Sequence, residues 1–165
     1  MIESRSNLDA TDEEFLLALY GSTRAHELAQ VQWDEGQQEL FVQWQYDLQR
    51  REYEARFLEA RYDVILVDGS PAGRIWIGTD NEQIRLLDIA LLPEFQNRGV
   101  GTLLIRRLID QSTCAGKPLR HMVFVLNNDA HRFYERLGLV VIEDLGAYKH
   151  TWNIIPQITQ IKTGI

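Results

Sequence analysis

The chain has a single cysteine, Cys114, so no disulfide can form within it. No apolar run approaches the length of a membrane span, so a membrane is not an expected partner. The first residues, MIESRSNLDATDEE, have no basic stretch followed by an apolar core and do not read as a secretory signal. Basic residues are scarce relative to acidic ones, 17 against 24, for a formal charge of −7. Nucleic acid is not an expected partner either, because phosphate binding wants clustered Lys and Arg. Together these shortages point to the cytoplasm, and the acidic balance is compatible with a cationic substrate such as an amine.

Internal repeats, low-complexity tracts and interdomain linkers are also missing. With 165 residues, 45% hydrophobic and 25% charged, the chain reads as one folded domain over residues 1–165 with a tail at 156–165. Several catalytic strings are absent. There is no G-x-x-x-x-G-K-[ST] for a nucleoside triphosphate and no complete G-x-G-x-x-G for a dinucleotide, since Leu104 stands at the third glycine position. No G-x-S-x-G supplies a serine nucleophile. His26, His121, His131 and His150 are scattered without metal-ligand spacing, so no metal is expected.

What is present is concentrated in residues 86–112, LLDIALLPEFQNRGVGTLLIRRLIDQS. Residues 86–92 form a nearly continuous apolar run, as in a strand covered on both faces. Pro93 ends it. From Val100 the period changes, with Val100, Leu103, Leu104, Leu108 and Ile109 on one helical face. Strand, glycine loop and helix therefore follow one another. The first N–H groups of a helix lack intrahelical partners and sit at the positive end of its dipole. Glycine lets a ligand approach them, so such a turn can hold a phosphate or pyrophosphate. Arg98 adds charge and Thr102 a hydroxyl. An ordinary strand-to-helix turn is the competing reading.

Along the chain, residues 1–8 read as an edge strand. Thr11 and Glu14 form a capping box before a first helix, which Gly21-Ser22 interrupts. Asp34 caps a long second helix over 35–57 whose apolar face is Leu40, Phe41, Trp44 and Leu48. Strands follow at 63–67, 74–78 and 83–92 as an antiparallel meander, with residues 68–73 as a turn. A strand at 119–126, a helix at 130–137 ended by Gly138, and strands at 140–144 and 148–155 complete the order. A meander leading into a βαβ unit requires a mixed sheet.

The string Gln96-Asn97-Arg98-Gly99-Val100-Gly101 resembles the Q/R-x-x-G-x-G/A signature of the GNAT superfamily of N-acetyltransferases. Asn127, Ala130, Phe133, Tyr134 and Gly138 resemble that family's N-x-x-A-x-x-F-Y-x-x-x-G-F string, with Leu139 for the final Phe. The element order resembles the GNAT fold over almost the whole chain. The resemblance implies an α/β (α+β) fold with a mixed, mostly antiparallel sheet, a central βαβ unit and a V-shaped splay between the two parallel strands. It implies acetyl-CoA as co-substrate, held by Gln96, Asn97, Arg98, Gly99, Val100, Gly101 and Thr102 together with Asn127 and Phe133. It implies that backbone N–H groups at Leu91 and Leu92 position the thioester and that Tyr134 protonates the leaving sulfur.

The reaction so implied carries acetyl to a primary amine of a small molecule or a protein. An amine of pKa ~10.4 is neutral only about once in 2,500 at pH 7, a penalty of about 4.6 kcal/mol that a base or desolvation must offset. Asp88 is the nearest carboxylate by sequence position and the candidate base; the competing reading is a structural aspartate. Trp33 and Tyr46, off the apolar stripe, are candidate walls of the acceptor pocket. A homodimer is a further expectation. A CoA-binding sensor without turnover, or an interaction module on the same scaffold, are the alternatives to an enzyme.

Overall fold

In the computed structural model, residues 1–6, 8–146 and 148–153 are described. The expected tail at 156–165 and the last two residues of the strand expected over 148–155 lie outside the described residues. The elements are β1 (Ile2–Arg5), α1 (Ala10–Leu28), α2 (Glu35–Arg56), β2 (Arg61–Val67), β3 (Ser70–Thr79), β4 (Ile84–Leu91), α3 (Val100–Ala115), β5 (Leu119–Phe124), α4 (Asn128–Arg136), β6 (Leu139–Asp144) and β7 (Tyr148–Asn153). The strands form one sheet in the order β1-β2-β3-β4-β5-β7-β6. Two compact units divide the long strands between them. One is Met1–Trp76 with Asp88–Gln96; the other is Ile77–Leu87 with the chain from Asn97 onward.

In the first unit, β1 runs antiparallel to β2, with Ile2 opposite Val67 and Arg5 opposite Val64. Helix α1 starts earlier than Thr11 and Glu14 suggest. Asp9 is the N-cap and accepts from the Asp12 amide at 3.0 Å, while Asp12 accepts from the Asp9 amide at 3.2 Å. Asp12 also pairs with Arg5 of β1 and is buried. A carboxylate with both duties fixes the N-cap at Asp9, ahead of the expected box at Thr11. The helix then runs through Gly21-Ser22 without a break, since the Ser22 hydroxyl donates back to Leu19 O at 2.7 Å. Helix α2 is capped by Asp34, as the sequence suggests, and Gln37 completes a reciprocal box with it.

The inward face of α2 is not the expected one. Tyr46 is 3% exposed, whereas Leu40, Trp44 and Leu48 are 75%, 59% and 52% exposed. Tyr46, Tyr53 and the C-cap Phe57 recur one or two turns apart and carry the helix onto Trp76, with ring centroids 5.9 Å from Tyr46 and 6.0 Å from Tyr53. Both faces offer rings, and the one that meets Trp76 of β3 is the one that turns inward. Strand β3 begins at Ser70, so the expected turn at 68–73 shrinks to Asp68-Gly69. Gly73 therefore lies in a strand. A Cβ there would stand 2.2 Å from Ala90 O and 3.0 Å from Leu91 Cα, so only glycine lets the two backbones approach so closely.

In the second unit, β4 and β5 run parallel, pairing Ile84 with Leu119, Arg85 with Arg120 and Leu86 with His121. Helix α3 makes the crossover that adjacent parallel strands require. Its buried side chains are Val100, Leu104, Ile105, Leu108 and Ser112; Leu103, expected inside, is exposed. Strand β7 lies between β5 and β6, antiparallel to both. Among the described residues no helix is long and apolar enough to cross a membrane.

Replacing Gly73 with Ala is expected to cost about 1–3 kcal/mol, because backbone rather than a flexible side chain must move. Gly101→Ala is the control: its Cβ would meet only Phe133 Cζ at 3.5 Å. Denaturant titration of both variants checks the contrast.

Candidate active site

The chain leaves β4 at Leu91, makes a short 3₁₀ turn over Pro93–Phe95 and enters α3 at Val100. Gln96 donates from Nε2 to Leu91 O at 2.9 Å, so this residue braces the turn. Asn97 and Gly99 both have positive φ, 57° and 79°. Gly99 is the N-cap of α3, and no side chain caps the helix. A Ser, Thr, Asp or Asn at that position would normally use one of the exposed amides. The first helical bond is Leu103 N–H to Gly99 O at 3.0 Å. The N–H groups of Val100, Gly101 and Thr102 precede it and have no partner in the helix. Space around Gly99 is open, and Arg98 is an exposed cation beside it. The result is a helix N-terminus with a bare cap, suited to an anion.

The second signature lies in the same unit. Asn127 caps α4, its Oδ1 accepting from the Ala130 amide at 3.1 Å. Phe133 approaches the glycine loop at Gly101. Tyr134 is buried, with its ring centroid 5.1 Å from Phe133 and 4.8 Å from His121. His121 of β5 donates from Nδ1 to Leu86 O at 2.8 Å. A carbonyl can only accept, so Nδ1 carries the proton of this bond. His121 is the neighbour of Tyr134 that sequence reasoning passed over; its one sequence signal is an imidazole inside the strand LRHMVF.

The other site candidates lie in the first unit. Leu92, expected to help position a thioester, donates its N–H to Ala72 O at 2.9 Å. Asp88 Oδ2 accepts from Arg74 Nε at 2.5 Å. Arg74 is buried and sits against two rings, 4.6 Å from the Trp76 centroid and 5.1 Å from Tyr20. The Asp88 side chain is 24% exposed, against 2% for that of Arg74. A carboxylate thus reaches solvent while its partner cation is sealed between aromatic faces. Arg74 Nη1 and Trp76 Nε1 are buried donors with no hydrogen-bond partner among the described residues. Trp33 packs edge-on against Phe41 at 4.9 Å and is partly exposed. Tyr46 belongs to the core rather than to an open wall. Burial pushes the phenols of Tyr46, Tyr53 and Tyr62 up to about 12, with Glu13, Asp88 and Glu54 respectively adding to the effect. Among the described residues no group of three or more His, Cys, Asp or Glu could hold a metal ion.

A family model described as the acetyltransferase (GNAT) family matches residues 22–139. The chain belongs to the GNAT acetyltransferase family. The PaiA N-acetyltransferase of Thermoplasma acidophilum, solved in complex with coenzyme A, is similar in fold at a TM-score of 0.69 and 19% identity, covering 93% of this chain and 98% of that one. The ribosomal-protein-S18-alanine N-acetyltransferase of Escherichia coli aligns at a TM-score of 0.61 and 20% identity over 94% of each chain. The N-acetyltransferase PseH of Campylobacter jejuni, solved with acetyl coenzyme A, aligns at 0.61 and 13% over 92% and 97%. No curated protein matches the sequence. The GNAT architecture accounts for the mixed sheet and for the parallel pairing of β4 with β5.

Two measurements check this geometry. Of the six tyrosines, Tyr46, Tyr53 and Tyr62 are expected to ionise near pH 12 in a spectrophotometric titration. Their folded values lie above the unfolded ~10, so the stability they carry is intact below pH ~10 and declines as pH rises towards 12. Asp88→Asn leaves the Arg74 cation buried without its counter-charge. It is expected to cost about 3 kcal/mol, the low end for a broken buried pair because solvent reaches Asp88; an unchanged denaturation midpoint would show that the pair carries no stability.

Proposed function

We propose that this GNAT protein transfers an acetyl group from acetyl-CoA to a primary amine, with residues 1–165 acting as one acetyl-CoA-binding domain. The observation that carries the reading is the uncapped N-terminus of α3. Three consecutive amides, a positive helix dipole, a glycine cap in the left-handed region and an adjacent arginine fit a pyrophosphate. Acetyl-CoA supplies the activated thioester. The chain supplies the rest: Val100, Gly101 and Thr102 bind phosphate oxygens through their amides, Arg98 adds charge, and Gln96 and Asn127 hold the loop and α4 in shape. Phe133 keeps water from the loop. Tyr134 holds the proton that the departing thiolate takes. Asp88, with Oδ2 committed to Arg74, receives the amine proton through its other oxygen or a water.

An amine acceptor follows from the acidic balance of the chain and from the family. The S18-alanine acetyltransferase, similar in fold, acts on a protein amine, and a small-molecule amine is equally compatible with the chemistry. Trp33 is the aromatic side chain retained as an acceptor contact. The cytoplasm is the compartment in which we place the reaction, since acetyl-CoA is its co-substrate.

Gly99→Val forces a β-branched residue to a φ of 79°. It is expected to weaken CoA binding at least about tenfold, or about 1.4 kcal/mol, by calorimetry on a protein shown to be folded. Unchanged affinity would rule the binding mode out. Tyr134→Phe keeps the ring and removes the hydroxyl. Because a thiolate is already a tolerable leaving group, kcat is expected to fall about ten- to a hundredfold, below the upper range of general acid catalysis, with CoA affinity unchanged. A panel of amines, alcohols and anionic substrates assayed with acetyl-CoA tests the acceptor class; acetylation of alcohols alone would overturn it.

A further inference from the structure

The parallel strands of the second unit pair Leu86 of β4 with His121 of β5. At this pair a side chain joins the ladder, since His121 Nδ1 donates to Leu86 O at 2.8 Å. The second torsion of an imidazole is broad when nothing holds it. A bond from one ring nitrogen to a strand carbonyl selects one setting. The backbone of His121 is held from its other side. His121 is paired with Thr151 of β7, and the buried Thr151 hydroxyl donates to His121 O at 3.3 Å. β7 thus fixes the backbone of His121, and β4 fixes its ring.

The fixed ring meets Tyr134. The two centroids are 4.8 Å apart at an interplanar angle of 58°, a tilted arrangement that aromatic pairs prefer to a face-to-face sandwich. Tyr134 is the buried side chain of α4, at 4% exposed. α4 has only nine residues, too few for a stable isolated helix. The contacts of its buried side chain therefore set where it lies. Phe133 is the second ring against Tyr134, at 5.1 Å. Phe133 is a neighbour in sequence and moves with α4, whereas His121 is tied to the sheet. The imidazole is the fixed reference against which the phenol is placed.

We propose that His121 is a positioning residue for the transfer: its ring holds the Tyr134 phenol in place, and its bond to Leu86 holds the ring. The role rests on Tyr134 being the proton donor to the departing thiolate. His121 itself gives up no proton in the step. A general acid works only when its hydroxyl lies within hydrogen-bond reach of the atom that takes the proton. A displacement of about 1 Å costs about a hundredfold in rate. Without the imidazole, a gap opens beside the phenol, and the ring is free to tilt into it. A residue that merely packed the sheet would change stability and leave the phenol's work untouched.

Three variants of the full chain separate the parts of this arrangement. His121→Phe keeps a ring and removes the donor to Leu86 O. His121→Asn keeps a donor near the Nδ1 position and removes the ring. Tyr134→Phe removes the hydroxyl. Circular dichroism confirms that each is folded, and denaturant titration ranks their stabilities. Release of free thiol from acetyl-CoA, alone and with the panel of amines, gives kcat and KM. His121→Asn is expected to lower kcat about ten- to a hundredfold, to the level of Tyr134→Phe, with KM for acetyl-CoA unchanged. His121→Phe should keep more activity than His121→Asn, whatever the order of their stabilities. Joining His121→Asn to Tyr134→Phe should lower kcat no further than Tyr134→Phe alone, because the first acts through the second. Wild-type kcat in His121→Asn, with Tyr134→Phe slow, would overturn the proposal and leave Tyr134 as the proton donor. The same loss from His121→Asn in both backgrounds would overturn it too, since His121 would then act without the phenol. A kcat that followed the denaturation midpoint from variant to variant would reduce His121 to packing. Tyr134→Phe at the wild-type rate would overturn the proton-donor reading and the positioning role with it.

Discussion

Adjacent parallel strands cannot be joined by a tight turn, and that constraint organises the second unit. β4 and β5 run side by side in the same direction, so the chain must leave one end of β4 and return to the other end of β5 through α3. The crossover begins where the strand stops. The chain reverses through Asn97 and Gly99, both in the left-handed region, and α3 opens with amides that neither the strand nor the helix can use. A glycine at the cap leaves those amides to an outside acceptor. The anion site is thus a consequence of topology as much as of residue choice, and the glycine supplies access rather than contacts.

A second constraint is the burial of charge in the first unit. Arg74 is sealed between Trp76 and Tyr20 and must carry its counter-ion with it. Asp88 supplies it from the neighbouring strand. The same cluster gathers Tyr46, Tyr53 and Tyr62 about Trp76, and burial there raises their phenol values. A lone buried guanidinium would be far more costly than the pair, so Arg74 and Asp88 are best regarded as one unit. This gives Asp88 a structural duty alongside the proton-accepting role proposed for it. Gly73 belongs to the same region: it allows β3 and β4 to approach where Ala90 and Leu91 end the strand.

Much of the architecture was legible before any coordinates. The two signatures around Gly99 and Tyr134, the N-cap at Asp34, the crossover helix and the order of elements along the chain all rest on residues near one another in the chain. Local spacing and turn chemistry determine them, because hydrogen bonds within four residues form or fail according to nearby side chains. The start of α1 was displaced because Asp12 answers to Arg5 on β1 as well as to its own helix, and short-range spacing cannot register that pull.

What tertiary structure alone decided is which face of each element turned inward and which distant groups met. An apolar stripe at Leu40, Trp44 and Leu48 and an aromatic series at Tyr46, Tyr53 and Phe57 both fit a helix; only Trp76, supplied by β3, selects the second. Arg74 and Asp88 pair across adjacent strands, Gly73 proves to be a strand residue pressed on Ala90, and His121 comes beside Tyr134 from an element earlier in the chain. The sequence by itself determined the local elements and the loop that identifies the family. The neighbours of each side chain depend on contacts between residues far apart, whose energies are settled only when the sheet brings them together.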